Sequence, residues 1–527
     1  LHWTAGAGRA NDQTGKITKG KAIMLRTSSY TIFVKLPDND RDVLLVHGYT
    51  GAYDRVSRGV ADFLRSREAR RHAKPLYGDW SPEPAAADTA ATGAVSDSTL
   101  DLLREQGYLT ELTPEEEETF FAHLATKLHQ RALRQAPSYI FMPTYDCNLR
   151  CSYCYQDHMR SDCSFKHLLR SMHRPMIDRI FAALPRIEER HGLDSHPQSP
   201  RRRNIGLFGG EPLLAANRPI VEHILGKAFE MGEADLWAVT NGTELDAYRD
   251  LLGPAGITRL QITLDGPPRK HDARRVYADG SGSYERIARN ITLALELGVG
   301  VSIRLNIDRT NLTDLPMMAE EFVARGWDRH PGFGAYTSPV RAGNGKTDVG
   351  TTLSSWELDR ALTAMREEHP SLRVLARPDE GMRAKVRRIF DDPRNVLPSL
   401  RPSFCGAHDR MYIFDPFGDI YACWERTGDS DVRIGRVTPE GGVELRDDQV
   451  HAWRDRTVAS NPVCRRCRFA LHCGGGCAIL ALGQNGAFNS NYCDGFAARF
   501  RASVAEAYLE HVSGAGPAAV AERVCDL

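Results

Sequence analysis

Apolar and polar positions change rhythm several times along the chain, and each change marks a boundary. Leu1 to Ile23 is glycine-rich and without periodicity ahead of the first methionine, Met24, so residues 1–28 read as a disordered or non-native leader. From Ser29 the rhythm is that of strands: YTIFVKL and VLLVHGY, split by PDNDRD, predict a hairpin or small sheet. Helical spacing follows over Val56 to Ser66, breaks at Pro75 to Gly93, and resumes at Ser96 to Gln106 and Pro114 to Ala132. Thr113 and Glu116 fit a capping box for the last of these helices. Residues 29–136 are therefore expected to form an N-terminal α+β domain.

After Ala136 strand and helix signals alternate, the pattern of a parallel sheet with crossover helices and so of the α/β class. The predicted strands are Ser138 to Asp146, Asn204 to Gly210, Asp235 to Gly242, Arg259 to Gly266, Gly300 to Asp308 and Pro331 to Tyr336, with helices such as Ser283 to Leu297 between them. This gives a partial (β/α) barrel over 137–345, whose chemistry belongs at the C-terminal ends of its strands. A helical connector (346–400, helical over Ser354 to Asp391) leads to a cysteine-rich domain (401–527) with short strands, RMYIFDP and DIYAC, and a closing helix from Ala497 to His511.

A length of 527 residues favours several cores over one. Lysine plus arginine balances aspartate plus glutamate at 68 each, which gives no electrostatic reason to expect nucleic acid or an anionic membrane. With no apolar run of spanning length and no secretory signal, the expectation is a cytoplasmic protein without a membrane partner.

Twelve cysteines in such a chain point to metal before disulfides. Ten fall into two groups, leaving Cys163 and Cys525 as spares. Cys147, Cys151 and Cys154 form C-x3-C-x2-C directly after a strand, short enough to hold three irons of one cubane. The fourth iron is then open to a chelating cofactor, for which the amino and carboxylate groups of S-adenosylmethionine (SAM) are suited. A zinc knuckle completed by His158 is the alternative. It leaves unexplained the polar strand ends that follow: GGEP (Gly209 to Pro212), TNG (Thr240 to Gly242), LDGP (Leu264 to Pro267) and RLNID (Arg304 to Asp308). In GGEP, two glycines allow close backbone approach to a ligand and a carboxylate can hold an ammonium.

These motifs, with QITLDGPPRKHDARR followed by GSGSYERI, resemble the radical SAM superfamily from about Ser138 to Asp308. The resemblance implies a partial TIM-like barrel of the radical SAM type and a catalytic [4Fe-4S] cluster on Cys147, Cys151 and Cys154. It also implies that Gly209, Gly210 and Glu211 approach SAM, Glu211 at its amino group. Tyr153 is expected near the adenine, with Thr240, Asn241, Arg304 and Asn306 at the ribose or carboxylate.

The second group, Cys405, Cys423, Cys464, Cys467, Cys473, Cys477 and Cys493, has more thiols than one tetrahedral zinc needs and suits one or two iron–sulfur clusters. It resembles the SPASM extension of peptide-modifying radical SAM enzymes, including Gly418 before Cys423. The resemblance implies a first auxiliary cluster on Cys405, Cys423 and Cys477 and a second on Cys464, Cys467, Cys473 and Cys493. Implied partners are a ribosomal precursor peptide and a reductant such as flavodoxin or ferredoxin.

VLLVHGYTG resembles the oxyanion strand of an α/β-hydrolase, but no G-x-S-x-G follows, so His47 reads as a turn histidine. Residues 29–136 weakly resemble winged-helix leader-peptide-binding domains, which add a peptide strand to a sheet edge; a packing domain covering the barrel is the alternative. The expected function is thus a peptide maturase that crosslinks, epimerises or oxidises a residue. A sulfatase-maturase-like formylglycine-forming enzyme is a second reading, although Trp424 stands where that group has an acid and Asp415 or Asp419 would have to substitute. A non-catalytic iron–sulfur electron-transfer or scaffold protein is a third. In an epimerase, Cys163 or Cys525 would be the hydrogen donor.

Overall fold

The computed structural model describes residues 25–37, 39–69, 95–193, 202–342, 346–377, 379–391 and 400–513. The predicted loop Pro75 to Gly93, Cys525 and most of the leader lie outside them. The leader expectation is corrected at its end. Arg26–Thr27 (β1) pairs antiparallel with Leu109–Thr110 (β5), because Arg26 is held by the buried Glu117 at 2.8 Å.

Thr31–Leu36 (β2), Asn39–His47 (β3) and Tyr53–Ser57 (β4) form an antiparallel sheet buried on both faces. Phe33, Val43 and Leu45 pack against Ala61, Leu64 and Leu103 of the helices Arg58–Ser66 and Asp97–Glu105. Ile32, Val34 and Val46 pack instead against Phe500 and Val504 of the closing helix, Phe496–Val512. The helix expected from Val56 starts at Arg58, since Ser57 caps it and Val56 stays in β4. Helix Pro114–Ala132 has the predicted limits and its Thr113–Glu116 capping box.

Among the described residues this domain packs mainly on the cysteine-rich region and meets the barrel where His191 Nδ1 lies 2.6 Å from the Leu133 carbonyl. Tyr30 and Phe121, stacked at 4.6 Å, join Val458, Cys464, Ala470 and Leu471 in one core. Tyr30 Oη donates to the Arg465 carbonyl, Arg468 pairs with Glu68 at 2.9 Å, and Arg466 with Glu118 at 2.9 Å. His47 is corrected from a turn residue to a buried one: its ring meets Ser28 Oγ at 2.9 Å and accepts from Thr50 N–H. Burial pushes it down to about 4, so it is a neutral core group.

The barrel consists of Ser138–Phe141 (β6), Arg203–Leu207 (β8), Ala234–Thr240 (β9), Arg259–Thr263 (β10), Gly300–Ile307 (β12) and Phe333–Pro339 (β13), all parallel and adjacent in chain order. A small antiparallel pair, Leu149–Cys151 (β7) with Arg275–Tyr277 (β11), lies outside the main sheet. Crossover helices such as Arg174–Arg190 and Tyr284–Glu296 bury Ile177, Ile180, Leu184, Ile287 and Ile291 against the strands. The sheet then continues past β6 into Met411–Phe414 (β14), Asp419–Tyr421 (β15), Gly435–Val437 (β16) and Val443–Leu445 (β17). Because β14 runs parallel to β6, with Met411 opposite Ser138 and Phe414 opposite Phe141, the boundary expected at 401 cuts through one hydrogen-bonded sheet. The helices Ser355–Glu368 and Glu380–Asp391 brace the closing helix, with Arg383 2.9 Å from Glu506 and Arg387 3.0 Å from Glu510.

Candidate active site

The cysteine loop leaves the end of β6 and is clasped by the GGEP segment. Gly210 N–H donates to the Thr144 carbonyl (3.0 Å) and Glu211 N–H to the Asp146 carbonyl (2.7 Å). A Cβ at Gly210 would run into the carbonyls of Tyr145 and Asp146, and one at Gly209, where φ is +140°, would lie 2.6 Å from the Thr144 oxygen. These glycines lie close against the cysteine loop itself. β7 lies along β11, setting Cys151 opposite Arg275, and Cys154 N–H closes a turn on the Cys151 carbonyl at 3.1 Å.

Cys147 Sγ receives Leu149 N–H (3.4 Å) and lies 3.7 Å from Asn241 Nδ2; Cys154 Sγ receives an Arg160 N–H at 3.2 Å. Burial pushes Cys147 and Cys151 up to about 12 and about 11. As free thiols they stay protonated at neutral pH, and binding iron as thiolates would release those protons. His158 does not complete a Cys3His site: it is exposed, edge-on to Phe165, and its Nδ1 faces the Tyr155 carbonyl at 3.2 Å. Arg160 stands at Cys154 instead. Among the described residues no three His, Cys, Asp or Glu side chains gather at the spacing of a single metal ion.

Glu211 is 1% exposed. Its Oε1 accepts from Thr240 Oγ1 (2.6 Å) and Leu213 N–H (2.9 Å), and its Oε2 from Asn241 N–H (2.6 Å). Burial nevertheless outweighs these bonds and raises it to about 7. A carboxylate offers about four acceptor sites, so one remains on Oε2. Asn241 braces the loop as well as turning its own chain: Oδ1 accepts from Thr243 N–H, and Nδ2 donates to Asn148 Oδ1 at 2.8 Å.

Tyr153, Arg304 and Asn306 converge as the motifs suggested, around residues that had been given no role. Tyr153 Oη donates to Asp265 and receives Arg275 Nη1 (2.7 Å) and Asn306 Nδ2 (3.1 Å). Asp265 Oδ1 also accepts from Asn306 N–H at 3.0 Å. Arg304 reaches Asn306 Oδ1 (2.8 Å) and Ser338 Oγ on β13 (2.9 Å). The long motif around LDGP acts as a bolt. His271 binds Ser283 Oγ at 3.0 Å, Ser283 donates to the Arg275 carbonyl at 2.6 Å, and Asp272 caps the helix at Tyr284. Its spacing was a signal for Asp265 and Arg275; nothing in the sequence marked Arg160 or Ser338.

The second cysteine group divides in space. Cys423 is raised by burial first, then by its neighbours Cys405, Glu425 and Cys477. Cys464 is raised by burial, then by Cys467, Cys473 and Cys493. Arg456, 5% exposed, lies near members of both sets and is fixed by the carbonyls of Ser490 (2.7 Å), Phe488 (2.9 Å) and Gly476 (3.0 Å). Gly474, Gly475 and Gly476 all have left-handed backbone, with φ of +79°, +85° and +76°, and Gly474 and Gly475 lie with Arg456 and Ser490 around Cys464. The Cys423 side abuts the barrel mouth: Trp424 packs on Phe208 at 5.4 Å, Gln156 donates to Thr427 at 3.4 Å, and Glu425 lies 3.7 Å from Arg341. The acids that might have replaced one at position 424 are engaged elsewhere. Asp415 holds the β14–β15 turn and receives Tyr145 Oη at 3.0 Å, and Asp419 pairs with Arg433 at 3.1 Å. Cys163 is exposed.

Residues 141–322 match the family described as the radical SAM superfamily. The match falls on the barrel, which is of the radical SAM type. Among curated proteins it is similar to GTP 3′,8-cyclase of Sinorhizobium medicae, 28% identical over 199 residues, 37% of this chain and 51% of that one. The cyclase of Rhodopseudomonas palustris is 26% identical over 326 residues, 60% of this chain and 83% of that one. The chain spans about half the length of the first of these relatives. Among solved structures, native anSMEcpe with bound AdoMet and Cp18Cys peptide superposes with a TM-score of 0.52 at 14% identity, covering 72% of this chain and all of that one. Streptococcus suis SuiB bound to precursor peptide SuiA gives 0.47 at 13% identity over 89% of this chain and 98% of that one. The first likeness is one of fold. No helix among the described residues is long and apolar enough to cross a membrane.

Proposed function

We propose that the protein abstracts a hydrogen atom from a residue of a ribosomally made peptide and hands the resulting electron to auxiliary clusters. Cys147, Cys151 and Cys154 would hold a [4Fe-4S] cluster, which would supply one-electron cleavage of SAM and with it the hydrogen-abstracting power. The chain's own residues position that chemistry. The remaining acceptor site of Glu211 suits the SAM ammonium, and its affinity for a proton near neutral pH shows how strongly the pocket favours a compensating positive charge. Tyr153, fixed by Asp265, Arg275 and Asn306, offers a ring for the adenine, with Gly209 and Gly210 keeping the loop close. Thr240, Asn241, Arg304 and Asn306 stand at the strand ends for the ribose and carboxylate.

The observation that carries the peptide reading is the line of cysteine sets leading away from the barrel mouth. Cys423, with Cys405 and Cys477 nearby, precedes Trp424, which packs on Phe208, while Cys464 and Cys467 lie in the core shared with the N-terminal domain, with Cys473 and Cys493 near Cys464. A substrate that ends oxidised must release one electron, and clusters at these positions give it a route. The antiparallel sheet ending in β4 is the place for a leader peptide to add a strand.

The test is anaerobic reconstitution followed by incubation with SAM, a strong reductant and a candidate precursor peptide. Release of 5′-deoxyadenosine together with a mass change in the peptide is expected. Clusters present without 5′-deoxyadenosine would favour the scaffold reading, and turnover without peptide modification would remove the substrate class.

A further inference from the structure

We propose that Arg160 is a positioning residue that sets the reduction potential of the cluster on Cys147, Cys151 and Cys154, an inference that rests on that cluster being bound there. Arg160 lies six residues after Cys154, in the short helix His158–Ser161, with its side chain turned back onto the cysteine loop. Its Nη2 donates to Cys154 Sγ at 3.2 Å, and its Nη1 is anchored on the Tyr145 carbonyl at 3.1 Å. The carbonyl fixes the guanidinium without neutralising it.

Two further observations point at the cluster. Among the described residues no carboxylate lies within ion-pairing distance of Arg160, whereas Arg274 pairs with Asp308 at 3.1 Å. In addition, Arg160 Nε is buried with no acceptor, on the guanidinium edge it shares with the nitrogen at Cys154. An orphaned donor beside three iron-ligand thiols suits a sulfide or thiolate sulfur.

The electron balance is simple. A low-potential one-electron donor, such as reduced ferredoxin, loses one electron; the cluster gains it and one negative charge, and no proton moves. A fixed cation at a ligand sulfur favours the more negative, reduced form, so removing it makes reduction harder. Arginine at this position thus brings the cluster within reach of its reductant.

The experiment is an EPR-monitored redox titration of the full-length, reconstituted protein. The cluster in question is identified as the one whose signal changes on adding SAM, and iron and sulfide contents are determined in parallel. R160Q and R160M are expected to shift the reduction equilibrium at least tenfold toward the oxidised form, about 59 mV for a one-electron couple. R160K, which keeps the charge, should remain closer to the native protein than either. Native potentials in fully loaded R160Q and R160M would overturn the proposal, as would R160K behaving like the neutral variants. If none of the three takes up iron while circular dichroism is native, the role is structural and the proposal fails. If only R160K loads, at the native potential, the charge assignment stands. A native protein that takes up no iron at these cysteines would remove the cluster reading itself, a result distinct from all of these.

Discussion

The two cysteine regions solve the same problem by opposite means. The barrel loop collects three cysteines within eight residues and is locked by neighbours close in space, the GGEP backbone, β11 and Arg160. The second group draws its cysteines from Cys405 through Cys493, across a region whose β14 pairs with β6 and whose Cys464 packs against the N-terminal domain. One site is shaped by local backbone; the other is a product of the finished fold. Their loss should therefore have different consequences.

The largest effect is expected from Cys151→Ala, which should abolish 5′-deoxyadenosine formation while leaving iron at the C-terminal cysteines, read by product chromatography and iron analysis. Cys473→Ala should do the reverse, preserving SAM cleavage, stopping peptide oxidation and loosening the N-terminal domain. Faster hydrogen exchange over β2 and the helix Pro114–Ala132 would register that loosening. If both variants lose SAM cleavage equally, the separation of the two regions is wrong.

The glycines sharpen the contrast. Gly210→Ala forces a methyl into two carbonyl oxygens of the cysteine loop and should cost about 2–4 kcal/mol in thermal or denaturant unfolding. Gly475→Ala meets Cys464 Sγ only at 3.6 Å and mainly bears the strain of left-handed backbone, about 1–2 kcal/mol.

Glu211 gives the barrel site a pH signature, over a range in which Asp415, also raised by burial to about 7, titrates as well. Its folded pKa of about 7 lies above the ordinary 4.5, so the folded state binds the extra proton. Apo-protein stability should then fall as pH rises from about 4.5 through about 7, by at most about 3 kcal/mol. Glu211→Gln should flatten that slope in thermal melts. The smallest effect, about 1 kcal/mol, is expected for Thr113→Ala, which removes the capping box of a helix whose inner face meets Cys464.

Local features were legible in the sequence. The capping box, the six barrel strands and the helices Pro114–Ala132 and Tyr284–Glu296 follow from patterns a few residues long. The convergence of Tyr153, Arg304 and Asn306 was carried by motif spacing. What the sequence could not convey was non-local. Arg160 sits in an ordinary polar run, and only the fold of the loop shows that it faces sulfur. The glycines of GGEP lie close against another stretch of chain, the cysteine loop. The sheet crossing the boundary at 401 and the seat of the N-terminal domain depend on contacts between residues hundreds of positions apart, which no periodicity records.

That seat also bears on how the polypeptide is made. Tyr30 and its hydrogen-bond partner Arg465 are 435 residues apart. At roughly 5–20 residues per second on the ribosome, the first sheet waits on the order of half a minute or longer for the segment that covers it. Throughout that interval Ile32, Val34 and Val46 face water, so newly made chains are a natural client for chaperones, and cells short of them should yield insoluble protein before any shortage of iron is felt.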